Sequence, residues 1–238
     1  MLRDISRWSD ASLHQVIVTV NAPDLDVGFF DGSKTDLPFA LCIIENTQPK
    51  GFGTNHNRAF EQCCTDYFFV LNPDLELPEN PFPELLKALA GSRTGCAYPA
   101  QTSPEGVPQD FERALPTPAA VIKRRFSGAG KNLTPAAKPK WISGAFMAFS
   151  APVFRSLCGF DERYFMYCED VDICLRLQLA GFELTRANAT VIHHAHRQTT
   201  KNWSHLAWHV RSLLRLWNSA PYKAYKLKNA KKRESLGA

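Results

Sequence analysis

The chain has 238 residues, 45% of them hydrophobic and 21% charged, and a formal net charge of +5. That is enough apolar material for one sizeable core, and it excludes bulk disorder. No apolar run reaches the roughly 18 residues a membrane span needs, and the polar stretch from Met1 to Asp10 lacks the form of a signal peptide.

The charge is unevenly spread. From Arg197 onward ten Lys/Arg face one acid, Glu234, while the remainder is mildly acidic. A basic C-terminal segment favours an anionic partner. The seven cysteines show no repeated Cys-x-x-Cys spacing and are expected to be reduced thiols of a cytoplasmic protein.

Leu2, Ile5 and Trp8 recur at helical spacing and predict a short helix. Gln15 to Val20 (QVIVTV) is a β-branched apolar run stopped by Asn21-Ala22-Pro23-Asp24, so it reads as a buried strand. Leu41 to Ile44 is a second short strand. Gly51-Phe52-Gly53 precedes a helix over Asn55 to Cys64. Tyr67 to Leu71 (YFFVL) is again a buried strand, ending sharply in Asn72-Pro73-Asp74, and Phe82 to Ala90 is helical. Strands alternating with helices predict an α/β domain with a largely parallel sheet.

Gln101 to Lys140 carries six prolines and Gly128-Ala129-Gly130, and is expected to be a long loop region near the site. Trp141 to Phe149 resumes ordered structure. A helix starts at Glu169 or Asp170, with Val171, Cys174, Leu175, Gln178 and Leu179 on one side and Gly181 at its end. From Trp203 to Trp217, residues 203, 206, 207, 210, 213, 214 and 217 form an apolar stripe on one helix.

Three constellations can carry chemistry. Asn72-Pro73-Asp74 stands where an apolar strand ends, the position at which open α/β sheets bind ligands. An aspartate there can ligate a hard cation that neutralises a departing diphosphate. The same three residues are also turn formers. The second is the block from Phe160 to Asp172. Asp172 can pair with Arg176 at i, i+4. Adjacent Glu169 and Asp170, set among aromatic residues, are costly carboxylates unless used, and one can serve as general base on a hydroxyl. The third is His193, His194 and His196 after an apolar strand-like run. One of them suits a metal, although no spacing to cysteine fits a standard zinc site.

In order and spacing these segments resemble glycosyltransferase family 2, especially its bacterial rhamnosyltransferase-like branch. The matching pieces are Glu45-Asn46 with Gly51-Phe52-Gly53-Thr54-Asn55-His56-Asn57, Leu71-Asn72-Pro73-Asp74, Trp141-Ile142-Ser143-Gly144-Ala145-Phe146-Met147, the block from Gly159 to Asp172, and Val191-Ile192-His193. The resemblance implies a GT-A fold, a nucleotide-binding α/β sheet with an acceptor-side half, over residues 1–200. A C-terminal amphipathic helix and basic tail follow over 201–238.

It further implies an inverting transfer of a sugar such as rhamnose from a nucleotide-diphosphate sugar (dTDP-rhamnose or similar) to a surface-polysaccharide or lipid-linked acceptor. Asp170 would be the catalytic base, with Glu169 orienting the acceptor. Asp74 and His193 would contact Mg²⁺ or Mn²⁺, and Asn21, Asn46, Gly51, Asn57 and Gly144 would line the nucleotide-sugar side. The expected location is cytoplasmic, with peripheral contact to an anionic inner membrane surface through the tail and no nucleic-acid partner. Two departures stand out. Pro49 occupies a position where family members carry Asn. Family members also begin with a strand ahead of the first helix, whereas Met1 falls inside what corresponds to that helix. The chain is therefore expected to be N-terminally truncated relative to the family. The alternative is a catalytically impaired, sugar- or nucleotide-binding remnant.

Overall fold

A computed structural model describes residues 1–10, 12–21, 37–126, 140–194 and 203–236, with side chains described except at 124–126 and 232–236. The Pro23 turn, the Gly128-Ala129-Gly130 stretch and His196 lie outside the described residues.

Helix α1 (Leu2–Trp8) precedes β1 (Gln15–Val20), and β2 (Ala40–Glu45) pairs with β1 in parallel. Next come α2 (Phe52–Glu61), β3 (Tyr67–Leu71), β4 (Leu75–Glu76) and α3 (Phe82–Leu89). Up to Phe126 the Pro-rich region is more ordered than expected. β5 runs Thr94–Thr102, β6 is Glu112–Arg113 and α4 is Pro118–Phe126. β6 pairs with β7 (Trp141–Ile142), so the first half of this region returns to the core through a short antiparallel ladder. β8 (Phe146–Ser150), α5 (Ala151–Ser156), α6 (Glu169–Leu179), β9 (Glu183–His193), α7 (Trp203–Asn218) and α8 (Ala220–Leu236) complete the chain.

The main sheet has the order β3-β8-β5-β9-β4 and is mixed. β5 and β9 are parallel, while β3–β8, β5–β8 and β4–β9 are antiparallel. β1 and β2 form a separate two-stranded sheet, and no described ladder joins β1 to β3. The core lies on both faces of the main sheet. One cluster gathers Phe68, Val70, Phe149, Phe154 and Phe160 with the α6 residues Ile173, Leu175 and Leu177. The other gathers Leu75, Leu85, Phe146, Ala148 and Val191 with Ile5 of α1.

Alternation along β3 explains the division: Phe68 and Val70 face one cluster, Phe69 and Leu71 the other. α1 is fixed to this scaffold by Trp8, whose indole N–H donates to the Leu77 carbonyl at 2.7 Å. α6 buries more than the expected single side. Val171, Ile173, Cys174, Leu175 and Leu177 are all buried, because β7, β9 and α8 surround the helix.

The C-terminal stripe divides. α7 packs through Ser212, Leu213 and Leu216, while Trp203, Val210 and Leu214 are 85%, 48% and 53% exposed. The basic segment after it is helical. Tyr222 and Tyr225 are buried, Tyr225 donates to Gln178 Oε1 at 3.0 Å, and Lys228 Nζ donates to the Gln178 carbonyl at 3.0 Å.

Candidate active site

The site is built where α6 begins, β7 ends and α7 crosses above. Tyr167 and Cys168 both adopt left-handed backbone, at φ 71° and 68°. Two non-glycine residues in that region store conformational cost, which surrounding contacts must offset. The contacts come largely from α7. Ser212 Oγ donates to the Met166 carbonyl at 2.8 Å, Tyr167 Oη lies 2.8 Å from His205 Nδ1, and the Phe165 and Trp208 rings sit 4.9 Å apart. The bend turns the chain into α6 with Glu169 and Asp170 as its first residues.

The Asp170 carboxylate is held from both oxygens. The Val171 N–H donates to Oδ1 at 2.8 Å, and the Gly144 N–H donates to Oδ2 at 3.2 Å. Gly144 lies close to both Asp170 and Phe52. A Cβ there would stand 3.3 Å from the Phe52 ring and 3.4 Å from Asp170 Cβ. Burial pushes the Asp170 carboxyl above the ordinary aspartate range, against the pull of the Arg113 charge and of the two backbone N–H groups. Asp170 stays partly accessible, whereas Glu169 is buried and its Oε2 has no hydrogen-bond partner among the described residues. Burial and then the neighbouring Asp170 charge push the Glu169 carboxyl well above its usual range. Two adjacent carboxyl groups are thus held at a helix start, one anchored and approachable, one buried behind it.

The second part of the site lies at the β4–β9 edge of the main sheet, and its turn is tied to the first part by the Asn72 N–H, which donates to the Ala145 carbonyl at 2.8 Å. β4 and β9 pair with Leu75 opposite His193, which brings His193 Nε2 to 3.4 Å from Asp74 Oδ1. Gln109 fixes the imidazole on its other side, with Oε1 at 3.1 Å from Nδ1. A carboxylate and an imidazole nitrogen suit a divalent cation of the Mg²⁺ or Mn²⁺ kind. Two protein groups leave most of its coordination sphere for a diphosphate and water. Among the described residues no cluster of three or more His, Cys, Asp or Glu could hold a metal alone.

The other expected site residues divide. Asn21, Asn46 and Asn55 form one network at the ends of β1 and β2. Asn46 Nδ2 donates to Asn21 Oδ1 at 2.9 Å and to Asn55 Oδ1 at 2.8 Å, and Arg58 donates to Asn46 Oδ1. Asn21 also brackets Lys50, accepting from its N–H at 2.8 Å and donating to its carbonyl at 3.0 Å. Asn57 is not part of this network. Its amide is spent on Phe160 and Glu162, donating to the Phe160 carbonyl and Glu162 Oε1 and accepting from the Phe160 N–H. Gly51 serves close packing: a Cβ would meet the Phe165 carbonyl oxygen at 2.8 Å. Asp172 pairs with Arg176 at 2.7 Å. Asn55, Arg58, Arg113, Tyr167 and His205 belong to these networks but were not singled out from sequence. Arg113 is hidden by its Pro-rich surroundings, and Tyr167 and His205 by their separation along the chain.

The profile of Glycosyl transferase family 2 matches residues 29–157. The chain is 30% identical over 184 residues to the rhamnosyltransferase WbbL of Escherichia coli, covering 69% of each chain. It is 32% identical over 189 residues to the N-acetylglucosaminyl-diphospho-decaprenol L-rhamnosyltransferase of Mycobacterium tuberculosis, covering 68% of this chain and 62% of that one. Among solved structures it is similar to GalNAc-T7 with UDP, GalNAc and Mn²⁺ (TM-score 0.64, 15% identity, 92% of this chain and 45% of the other). It is also similar to the mannosyltransferase PcManGT of Pyrobaculum calidifontis with GDP-Man and Mn²⁺ (TM-score 0.54, 16% identity, 84% and 55%). The chain belongs to glycosyl transferase family 2, a glycosyltransferase on the GT-A fold.

Proposed function

We propose that the protein moves rhamnose from a nucleotide-diphosphate donor such as dTDP-rhamnose to a glycan or lipid-linked acceptor, with inversion at the anomeric carbon. The observation that carries this reading is the Asp170 carboxylate, anchored by Val171 and Gly144 yet partly accessible at the start of α6. Each oxygen accepts one backbone N–H and keeps a further lone pair, so the group is oriented without being used up. In the reaction the acceptor O–H gives its proton to Asp170 and the acceptor oxygen bonds to the anomeric carbon. The carbon–oxygen bond to the diphosphate breaks, and the nucleoside diphosphate leaves with that electron pair. Glu169, buried behind Asp170, orients the acceptor side.

Asp74 and His193 are the residues that would hold Mg²⁺ or Mn²⁺, and the bound cation would supply charge neutralisation for the departing diphosphate. Asn21 and Asn46 line the nucleotide side through the network with Lys50, and Gly144 keeps side-chain bulk away from Asp170. Gly51 and Asn57 support the site by holding the 160–165 segment against α2.

The relatives named as rhamnosyltransferases support the choice of sugar, and the name of the mycobacterial one supports a lipid-linked acceptor. Location at an anionic inner membrane surface is part of the same reading. It is supported by the exposed apolar residues of α7 and by the exposed Lys223, Lys226, Lys228 and Lys231 of α8. No described helix is long and apolar enough to cross a membrane. A second reading, a sugar- or nucleotide-binding remnant, is favoured by one observation, the break between β1 and β3. Incubation with dTDP-rhamnose and a polyprenyl-diphosphate-linked N-acetylglucosamine acceptor separates the two. Release of dTDP with formation of a rhamnosylated lipid supports the enzyme, and donor binding without turnover supports the remnant.

A further inference from the structure

Beyond Thr102, the end of β5, the chain turns back on itself. The Gly106 N–H donates to the Ser103 carbonyl at 2.9 Å, and the Ser103 N–H donates to the Val107 carbonyl at 2.8 Å. Gly106 sits at φ 76°, left-handed backbone that glycine takes at little cost. Thr102 and Pro108 then form an antiparallel bridge, and the Gln109 N–H donates to the carbonyl of buried Gln101 at 2.9 Å. Gln101 is itself in register with Val191 of β9. The turn thus lays Gln109 beside the end of β5, within reach of the end of β9.

There Gln109 uses both ends of its amide on one residue. Nε2 donates to the His193 carbonyl at 2.7 Å, and Oε1 lies 3.1 Å from His193 Nδ1. A backbone carbonyl only accepts, so the amide nitrogen is the end that meets it. Oε1 is then the end facing the ring, and an oxygen facing Nδ1 calls for a hydrogen on that nitrogen. The neutral ring is thereby the Nδ1–H tautomer, with its lone pair on Nε2. That nitrogen is the one 3.4 Å from Asp74 Oδ1. The His193 side chain is 12% exposed, so water has little access to take the place of the amide.

We propose that Gln109 is a positioning residue, which holds His193 as the Nδ1–H tautomer so that the Nε2 lone pair is turned toward Asp74, ready for a divalent cation. The inference rests on the reading of Asp74 and His193 as the pair that holds the metal. A ring free to change tautomer spends part of its time with a hydrogen on Nε2, where no cation can bond. The two-point hold of Gln109 removes that loss, and the Nδ1–H bond to its oxygen makes Nε2 more basic. Gln109 acts through His193 and not on the substrate.

The test compares the full chain with Gln109→Leu, which has no polar side-chain atom, and with Gln109→Glu, which keeps an oxygen against Nδ1. Nitrogen NMR of the isotope-labelled histidines in EDTA, at about pH 8 where an imidazole is neutral, reads which ring nitrogen carries hydrogen. A His193→Asn chain assigns the signal. The parent and Gln109→Glu should carry it on Nδ1, and Gln109→Leu should lose that preference. Mn²⁺ affinity in the presence of dTDP, followed by calorimetry, should fall about ten- to hundredfold in Gln109→Leu and stay within about threefold of the parent in Gln109→Glu. If Gln109→Leu does not fold, Gln109→Met takes its place with the same expectation. Hydrogen on Nε2 in the parent overturns the proposal, as does a Gln109→Leu chain that keeps the parent's tautomer or its affinity. A parent chain that binds no Mn²⁺ with dTDP present fails the metal reading itself, and overturns the purpose assigned to Gln109 even where the tautomer follows the amide.

Discussion

His193 Nε2 lies 3.4 Å from Asp74 Oδ1, brought there by the antiparallel pairing of β4 and β9. The pair joins a turn after an apolar strand to the end of the last strand. Replacing Asp74 with Ala removes the only carboxylate of the pair. Binding of dTDP in the presence of Mn²⁺, followed by calorimetry, should weaken on the order of tenfold or more in Asp74→Ala. His193→Ala should weaken it less, since water can take the place of a neutral ligand. Unchanged binding by both variants, or equal binding by the parent chain in excess EDTA, would leave the pair with a structural role only.

The environment of Asp170 sets a pH dependence. A general base works when deprotonated, so transfer should rise with pH through its pKa. Burial raises that pKa above the ordinary aspartate value of 3.8, and the Arg113 charge pulls against the rise. The acidic limb of the kcat profile should therefore have its midpoint above that of a free aspartate. Arg113→Ala removes the opposing charge and should move the limb further toward neutral pH. A limb that does not move in this variant would separate Arg113 from the base.

Glu169 carries a cost that its removal should reveal. Its carboxyl titrates well above the ordinary 4.5 in the folded chain, so folding favours its protonated form. That contribution is fully present below the unfolded value and is lost as pH rises from it through the raised folded value. At neutral pH the ionised group is a burden. Glu169→Gln should raise the melting temperature at pH 7 by about 3 °C, and leave it nearly unchanged at pH 3. Transfer should fall at the same time. A lower melting temperature at pH 7 would mean that Glu169 makes a stabilising contact in its ionised form.

The exposed Trp203, Val210 and Leu214 and the lysines of α8 predict salt-sensitive co-sedimentation with anionic vesicles but not with neutral ones. α8 also packs on α6 through Tyr222 and Tyr225, so truncation would confound the test. A variant carrying Lys223→Glu, Lys226→Glu and Lys231→Glu keeps the tyrosines and should lose the binding. Equal sedimentation of both chains would make the lysines ordinary solvated surface.

Most elements were legible because local chemistry and tertiary need agree. QVIVTV and YFFVL are apolar runs ended by turn formers, and they form β1 and β3. Acids at the start of α6 and Gly181 just after it, at φ 94°, bracket that helix as expected. What sequence alone hid are relations made by packing. The prolines around Arg113 suggest a loop, yet β6 pairs with β7 and sets the guanidinium near Asp170. The lysines of α8 conceal the i, i+3 pair Tyr222 and Tyr225 that docks it. Asn57 and Gly51 stand in the right motif, but their contacts go to the 160–165 backbone, visible only once α2 is placed against it.

The central claim is that Asp170 takes the acceptor proton, and the most direct measurement is sugar transfer by Asp170→Asn with dTDP-rhamnose. The substitution keeps the size of the side chain and the acceptor oxygen for one backbone N–H, and it removes the basicity. The account predicts a fall in kcat on the order of 10²-fold or more, with donor affinity largely kept. Near-normal turnover by Asp170→Asn, under conditions where the parent chain transfers sugar, would contradict it.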